Sequence, residues 1–400
     1  MPKTIVYCAD GTWNGPGSKA DQIENDPPGE SNVYRVYRWL QGSAVSKPDG
    51  GLGLERQEKK LTRTDGDTEQ LALYCHGVGS NKLLPDMVVL GGTLGGGLTT
   101  RIRLGYSYIS TNYEPDDSIV IVGFSRGAYT ARALADMIAT RGLLRPEMAK
   151  DHGPYSHSAV AWIMYRERQV ANRDSASSDL RQRIIKCSQH LHEKLLETFG
   201  RKLTDADFVP TNVTAVAVFD TVGSMGIPAY DRGEDTLIDE YEFDSEELHP
   251  KIGRAFHAVS LDEQRENFDP TLWIPDARLK QELFAGAHSD VGGGYKDDDG
   301  LSDVPLKWMI EQLTEVGLKF VDSAAMERDG LAPNALGTAH QPWRDFLFSK
   351  LGHQTRQFPD GYVTVNEAVW RRMEGGAVRS DPDLPAPYDP PNLPSGIARQ

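Results

Sequence analysis

The segment around Ser125 constrains the fold more than any other part of the chain. Residues 118–123 form a short, continuous apolar run, which is typical of a strand buried in a parallel sheet. The run leads directly into the sequence GFSRG at 123–127, and residues 128–140 follow with the pattern of a helix. A strand, a glycine-flanked serine and a helix in this order predict a nucleophile elbow, a sharp turn that exposes the serine hydroxyl at the end of the strand.

The alternation of apolar runs and helical segments recurs along the chain. The predicted strands lie at 5–9, 69–75, 118–123, 213–219, 255–261 and 281–287. The predicted helices between them include 31–40, 102–113, 128–140 and 304–313. Strands that alternate with helices predict an α/β fold of the α/β-hydrolase type, with a mainly parallel sheet and helices on both faces. Ligand sites in such sheets lie at the carboxyl ends of the strands.

We expect one catalytic domain over residues 1–320 and a C-terminal extension over 321–400 that packs on it. The extension ends in a proline-rich tail at 380–394, which predicts an extended strap. Residues 43–68 are polar and rich in glycine, and this composition predicts a loop.

A long helical stretch separates the third and fourth predicted strands. Amphipathic segments at 158–171 and 180–199 predict two helices. We interpret them as a helical cap, inserted at about 150–205 over the carboxyl edge of the sheet. An ordinary layer of packing helices is the alternative.

The charge and cysteine content exclude several classes of protein. The chain has 43 basic and 58 acidic residues, a net charge of −15, whereas a general nucleic-acid binder needs a basic face. An acidic surface also repels anionic membranes unless a local patch intervenes, so we expect only transient contact with a membrane surface. Three scattered cysteines do not make a disulfide framework or a metal site.

The apolar runs are all far shorter than the ~20 residues of a membrane span. The N-terminal apolar run is also too short for a signal peptide. We therefore expect a cytoplasmic protein, with any export following a route that cleaves no signal.

A serine nucleophile needs a base, and His288 fits that role best. In this class of fold the chain order is serine, then acid, then histidine. His288 follows the last predicted core strand, and the glycines at 292–294 allow its loop to fold back toward Ser125. Its imidazole can accept the serine proton near neutral pH. His257 lies inside a predicted strand, so we interpret it as a core residue.

Two aspartates could orient His288. Asp220 ends a predicted strand and is followed by small residues, so its carboxylate can lie open at the sheet edge. Asp262 ends the next strand, beside Glu263 and Arg265, which look like an ion pair. We favour Asp220 and keep Asp262 as the alternative acid. Asp290 is too close to His288 in sequence to orient it, and we expect it to brace the loop.

The oxyanion formed during acyl transfer needs two backbone N–H donors. One comes from the residue after the nucleophile, and the second is expected from the loop after the first strand. An aspartate at the start of that loop can brace it by accepting N–H bonds, and the loop after the second strand is expected to line the pocket. The residues expected around the oxyanion are Arg126, Gly11, Thr12, Asp10, His76 and Gly77.

Five motifs together resemble one known family. They are CADGTWN at 8–14, YCHGVG at 74–79, GFSRGAYTAR at 123–132, FDTVGS at 219–224 and AHSDVGGGY at 287–295. Over residues 4–310 the chain resembles the α/β-hydrolase domain family, formerly of unknown function, that includes the type VI secretion phospholipase effectors. The resemblance implies Ser125, Asp220 and His288 as a triad. It also implies a phospholipid or other acyl-ester substrate and a secretion-apparatus or immunity protein as partner.

These observations predict a serine-triad hydrolase of carboxylic esters that acts on a lipid or other acyl ester and uses no cofactor and no metal. The aspartates at 297–299 together with Asp303 could hold a hard cation, but their spacing misses the EF-hand pattern and we interpret them as a solvated loop. A thioesterase or peptidase-type serine hydrolase is one alternative function. A non-catalytic binding protein that retains the fold is another.

Overall fold

The computed structural model describes residues 2–11, 29–45, 56–77, 96–149, 156–171, 178–222, 246–296, 300–345 and 352–394. The strands are β1 Thr4–Ala9, β2 Ser43–Val45, β3 Arg56–Thr62, β4 Thr68–Cys75, β5 Ser118–Phe124, β6 Leu143–Leu144, β7 Phe208–Val209, β8 Val213–Phe219, β9 Ile252–Ser260, β10 Leu279–Phe284, β11 Ala339–His340, β12 Thr364–Val365, β13 Ala377–Val378, β14 Ser380–Asp381 and β15 Ala386–Pro387. The helices are α1 Asn32–Trp39, α2 Gly96–Asn112, α3 Arg126–Arg141, α4 Pro146–Ala149, α5 His157–Ala171, α6 Ser178–Phe199, α7 His288–Gly292, α8 Asp303–Glu315, α9 Ser323–Arg328 and α10 Glu367–Glu374.

One large sheet organises the fold. Within the described residues it contains nine strands in the order β12-β10-β9-β8-β5-β1-β4-β3-β2. Neighbouring strands from β12 to β4 run parallel, whereas β3 and β2 add antiparallel pairs at one edge. The predicted α/β fold with a mainly parallel sheet is therefore confirmed.

The strand register brings the ends of the central strands together. Ala9, at the end of β1, pairs with Cys75 on one side and with Gly123 on the other. On the far side of β5, Phe124 pairs with Phe219, the last residue of β8. Because these strands are parallel, the residues that follow them all emerge at the same edge of the sheet.

Side chains alternate between the two faces of the sheet, as expected for strands. Along β1, Ile5 and Tyr7 face the core that contains α2, α3, α5 and α6. Val6 and Cys8 face the opposite core, which contains α1 and α8. Both faces are covered by helices, which explains why the central strands are apolar along their whole length.

Helix α5 packs against the helices on one face of the sheet. Trp162 and Ile163 are buried in that core. The Tyr165 hydroxyl donates to the Asp136 carboxylate of α3 at 2.6 Å. These contacts are those of a packing layer, and a cap over the strand ends stays a prediction. Helix α6 packs on α5, and among the described residues no helix is both long enough and apolar enough to cross a membrane.

The prediction of a loop over residues 43–68 is wrong. Strands β2 and β3 lie in this segment, and β3 pairs antiparallel with β4. The side chains of β3 are mostly polar and partly exposed. A strand near the edge of a sheet can keep its side chains in water, so low apolar content does not exclude it.

The C-terminal extension contributes directly to the sheet. Strand β12 pairs parallel with β10, with Thr364 opposite Glu282. A third apolar cluster joins the extension to the sheet and includes Val259, Leu283 and Val369. The extension therefore shares its core with the strands that precede the predicted histidine base.

Candidate active site

Ser125 lies in a sharp turn between β5 and α3. Its backbone has φ 56° and ψ −124°, a conformation that is rare for a residue other than glycine. The Ser125 N–H donates to the carbonyl of Phe219 at 3.1 Å, which ties the turn to the end of β8. The sharp turn has the strained backbone that a nucleophile elbow requires, and the role of Ser125 as nucleophile stays a prediction.

The two glycines of the elbow are required by close packing. A Cβ atom at Gly123 would overlap the carbonyl group of Gly127. A Cβ atom at Gly127 would overlap the carbonyl oxygens of Ala9 and Asp10 at the end of β1. The first turn of α3 therefore lies directly against the neighbouring strand, and no larger side chain fits there.

Asp220 and His288 form a buried pair. The His288 Nδ1 atom lies 2.6 Å from Asp220 Oδ2. Asp220 follows β8, has a positive φ of 34° and is fully buried. The Ser260 N–H donates to the other carboxylate oxygen at 2.9 Å, which fixes the plane of the carboxylate. Of the two aspartates that the sequence offered, Asp220 is the one brought to His288.

A guanidinium that the sequence did not point to also holds Asp220. Arg356 donates through Nη1 to Asp220 Oδ1 at 2.7 Å and through Nη2 to Oδ2 at 3.0 Å. Burial by itself would raise the pKa of Asp220. Arg356 and the hydrogen bond with His288 outweigh burial and hold this pKa well below its usual range. Asp220 is therefore a carboxylate throughout the neutral pH range.

His288 sits in an apolar, largely enclosed environment. Its ring lies 4.6 Å from the ring of Phe124 and 5.0 Å from that of Phe268, measured between centroids. Its backbone N–H donates to Glu263 Oε2 at 3.1 Å. Burial lowers the pKa of His288 more than the hydrogen bond to Asp220 raises it. The imidazole is therefore neutral at pH 7 and able to accept a proton.

Asp262 serves a different set of contacts. Its Oδ2 accepts the Gly286 N–H at 2.6 Å, and the Tyr388 hydroxyl donates to Oδ1 at 2.8 Å. Burial raises the pKa of Asp262 to about 6. The neighbouring residues Glu263 and Arg265 form the ion pair that their sequence suggested, at 2.8 Å. Asp262 thus links the turn before His288 to the C-terminal tail.

His257 is a structural residue of the sheet. His257 Nε2 accepts the N–H of Thr221 at 3.1 Å, and Nδ1 lies 2.9 Å from Gln281 Oε1. Burial lowers its pKa to about 3, so the ring stays neutral. The interpretation of His257 as a core residue is confirmed.

Asp290 braces the loop that carries His288. Its Oδ2 accepts the N–H groups of Ala287 at 2.8 Å and His340 at 2.9 Å. The His340 ring adds a contact of 2.6 Å to Oδ1. These contacts join the loop to the C-terminal extension, as expected of a bracing residue.

The expected oxyanion donors are partly described. Arg126 is the first residue of α3, where backbone N–H groups have no acceptor within the helix. The Gly11 N–H donates to the carboxylate of Asp10 at 2.7 Å, and Asp10 also accepts from the Ser31 hydroxyl at 2.6 Å. Because the Gly11 N–H is engaged, Thr12 is the candidate left in this loop, and it lies outside the described residues.

His76 and Gly77 lie at the neighbouring strand end. His76 is buried, with its ring 5.2 Å from that of Tyr74. The Arg101 side chain donates through Nε to the His76 carbonyl at 2.6 Å and through Nη2 to the Gly77 carbonyl. Arg101 of α2 thus fixes the segment after β4. The role of this segment in lining the oxyanion pocket stays a prediction.

The parallel sheet, the strained elbow and the Asp–His pair at one sheet edge define an α/β-hydrolase fold. Residues 3–312 match the family model described as the catalytic domain of Tle1-like phospholipase effectors of the type VI secretion system (T6SS). The chain belongs to this family. The resemblance drawn from the five motifs is thereby confirmed.

The chain is also similar to individual proteins. It is 26% identical over 294 residues to an uncharacterized protein from Saccharomyces cerevisiae, covering 68% of this chain and 33% of that protein. An uncharacterized Pseudomonas aeruginosa structure is 19% identical, with a TM-score of 0.44 and coverage of 84% of this chain and 49% of that one. The Tle1 effector bound to the VgrG spike is 19% identical, with a TM-score of 0.34 and coverage of 74% and 52%. The chain therefore spans a third to a half of the length of these proteins.

Proposed function

We propose that the protein hydrolyses carboxylic acyl esters, with Ser125 as nucleophile, His288 as base and Asp220 as the orienting acid. The observation that carries the proposal is the 2.6 Å contact between His288 Nδ1 and Asp220 Oδ2 at the edge where Ser125 occupies a strained elbow. Membership of a phospholipase effector family supports a lipid or phospholipid ester as substrate.

The proposed reaction proceeds through an acyl-enzyme. Ser125 Oγ attacks the ester carbonyl while His288 Nε2 takes the serine proton. The N–H of Arg126 stabilises the negative oxygen of the tetrahedral intermediate. The C–O bond then breaks, and His288 returns the proton to the departing alcohol. Water repeats these steps on the acyl-enzyme, releasing the acid and restoring Ser125.

Asp220 keeps His288 in the tautomer that this reaction needs. A carboxylate that accepts the Nδ1–H leaves the lone pair on Nε2, which faces away from the acid. When His288 becomes positive during attack, the same carboxylate stabilises the charge. Because Asp220 stays ionised far below neutral pH, it can do so over the working range of the base.

A fluorophosphonate probe tests the proposal, since only an activated serine reacts with it. We expect rapid labelling of the wild-type protein and none of Ser125→Ala. Ser107→Ala is the control, because Ser107 is also buried but its hydroxyl lies 2.6 Å from that of Ser158, on α5. Turnover of p-nitrophenyl esters of graded chain length, beside phospholipid vesicles, then identifies the substrate class. Equal labelling of wild type and Ser125→Ala contradicts the assignment.

The other functions are distinguished in the same assays. A thioesterase or peptidase-type hydrolase also reacts with the probe but prefers thioester or peptide substrates, whereas a binding protein that retains only the fold does not react with it.

Family membership further suggests a secretion-apparatus or immunity protein as partner and transient contact with a membrane surface. Pull-down with those candidate proteins and sedimentation with vesicles test each of these proposals.

A further inference from the structure

We propose that Arg356 is a positioning residue of the catalytic site: it holds Asp220 and thereby keeps His288 in its neutral, proton-accepting form. This inference rests on the proposed serine mechanism and extends it to a segment of the chain that no motif marked. Arg356 lies beyond residues 3–312, the span matched by the catalytic-domain family model. The catalytic unit of this chain therefore continues into the C-terminal extension.

Each terminal nitrogen of Arg356 donates two hydrogen bonds. Nη1 and Nη2 donate to the two oxygens of Asp220, a bidentate arrangement that fixes both position and plane. Nη1 also donates to the Ser260 carbonyl at 2.7 Å, and Nη2 to the Phe268 carbonyl. Arg356 is 1% exposed, so these bonds form away from solvent.

The segment that carries Arg356 is itself held in place. The Asn392 side chain donates to the Arg356 carbonyl at 3.2 Å and to the Leu261 carbonyl at 2.9 Å. The N–H of Gln354 donates to the carbonyl of Gln264. The Tyr388 hydroxyl donates to Asp262 in the same segment after β9. These contacts of the C-terminal tail hold the Arg356 guanidinium against the carboxyl ends of β8 and β9.

The charge arrangement explains the effect on His288. One carboxylate oxygen, Asp220 Oδ2, accepts from both Arg356 Nη2 and His288 Nδ1. The permanent positive charge of the guanidinium, which donates to this shared oxygen, opposes a second positive charge on the imidazole. The guanidinium also neutralises the Asp220 carboxylate. Without it, the negative charge of Asp220 would favour protonation of the His288 ring.

The remaining charged groups around the pair act in both directions. Glu263 favours the positive form of His288 and Arg265 opposes it. These two are paired with each other, so their effects largely cancel. Asp269 lies near Arg356 and favours its positive charge. Arg356 is therefore the cation that balances Asp220.

The test compares Arg356→Gln and Arg356→Lys with Arg372→Gln. Arg372 is an equally buried arginine of the same extension, but it donates to the carbonyls of Ala335, Gly337 and Arg379. For each protein, kcat/KM on a p-nitrophenyl ester is measured from pH 4.5 to 9. The rate of fluorophosphonate labelling is measured over the same range, because it reports protonation of the base without ester turnover.

We expect Arg356→Gln to move the acidic limb of both profiles upward by about one to two pH units. Arg356→Lys keeps the charge but not the bidentate geometry, so the limb stays near that of wild type while kcat falls. Arg372→Gln leaves the limb unchanged. An acidic limb at the same pH in wild type and Arg356→Gln overturns the proposal, even when kcat falls, because a merely structural role would lower kcat alone.

Folding is controlled by the double variant Asp220→Asn/Arg356→Gln. Removing Arg356 alone leaves the buried Asp220 carboxylate without its counter-charge, which is strongly destabilising. Removing both charges must recover stability relative to Arg356→Gln, and a double variant no more stable than that single variant contradicts the pairing. A wild-type protein that neither labels nor turns over esters refutes the proposed function instead. NMR titration of the His288 ring in wild type and Arg356→Gln then tests the effect of Arg356 independently.

Discussion

Replacement of Asp220 by asparagine gives the sharpest test of the site. The substitution preserves the shape of the side chain but removes its charge. It presents an amide to a histidine nitrogen at 2.6 Å and to both guanidinium donors of Arg356. Two separate losses follow, one of catalysis and one of stability.

The catalytic loss comes from the wrong tautomer of His288. An asparagine amide can donate to Nδ1, which then leaves the proton on Nε2, the nitrogen that accepts the Ser125 proton in the proposed mechanism. We expect kcat to fall by roughly 10³–10⁴ on this basis. The expected loss of stability is about 3–5 kcal/mol, because Arg356 remains buried without its counter-charge.

The pH dependence of the stability loss follows from the sign of the pKa shift. The pKa of Asp220 is depressed in the folded protein, so its contribution to stability is complete above the unfolded value of about 3.9. The contribution is lost as pH falls through the folded pKa. The gap in unfolding free energy between wild type and Asp220→Asn should be nearly constant from pH 7 to about pH 5 and shrink below about pH 4.

Urea unfolding at a series of pH values and ester turnover at pH 7 measure the two losses. Asp262→Asn is the matched control, since its carboxylate is held by Gly286 and Tyr388 instead of by His288. We expect less than about a tenfold fall in kcat for the control, because His288 keeps its own carboxylate partner. A larger fall in kcat for Asp262→Asn than for Asp220→Asn would refute the assignment of the acid.

Two further predictions concern the elbow and the tail. Gly127→Ala should abolish both labelling and turnover, because its Cβ overlaps the backbone of Ala9; near wild-type labelling would contradict the packing described. Tyr388→Phe should cost about 1–2 kcal/mol in urea unfolding at pH 8 and less at pH 5. The reason is that the lost hydroxyl donates to the ionised form of Asp262, whose pKa is about 6, so an equal cost at both pH values would count against this account.

The sequence was sufficient where one local pattern determined one local structure. The apolar runs predicted the central strands, because a strand that is covered on both faces is apolar at every position and stands out in the sequence. The flanking glycines predicted the elbow at Ser125, because the turn itself demands small residues. Asp220 could be ranked above Asp262 from the small residues that follow it.

The sequence was insufficient where a residue's role depends on a distant partner. Arg356 is one arginine in an irregular segment, and only the folded chain brings it to Asp220, 136 residues earlier. Strand β3 was missed for a related reason. It is stabilised by its pairing with β4, and its own polar side chains do not form the apolar pattern that predicts a strand. Patterns within a segment do not encode contacts between segments.

The distance along the chain between Asp220 and Arg356 has a consequence for synthesis. At about 5–20 residues per second, translation of 136 residues takes roughly seven to twenty-seven seconds. During that interval the nascent chain holds the elbow and the aspartate but not the guanidinium that stabilises its buried charge. We expect the acid to stay hydrated until the C-terminal segment docks. The proposed active site would then be completed only after the segment that carries Arg356 has been synthesised and has docked.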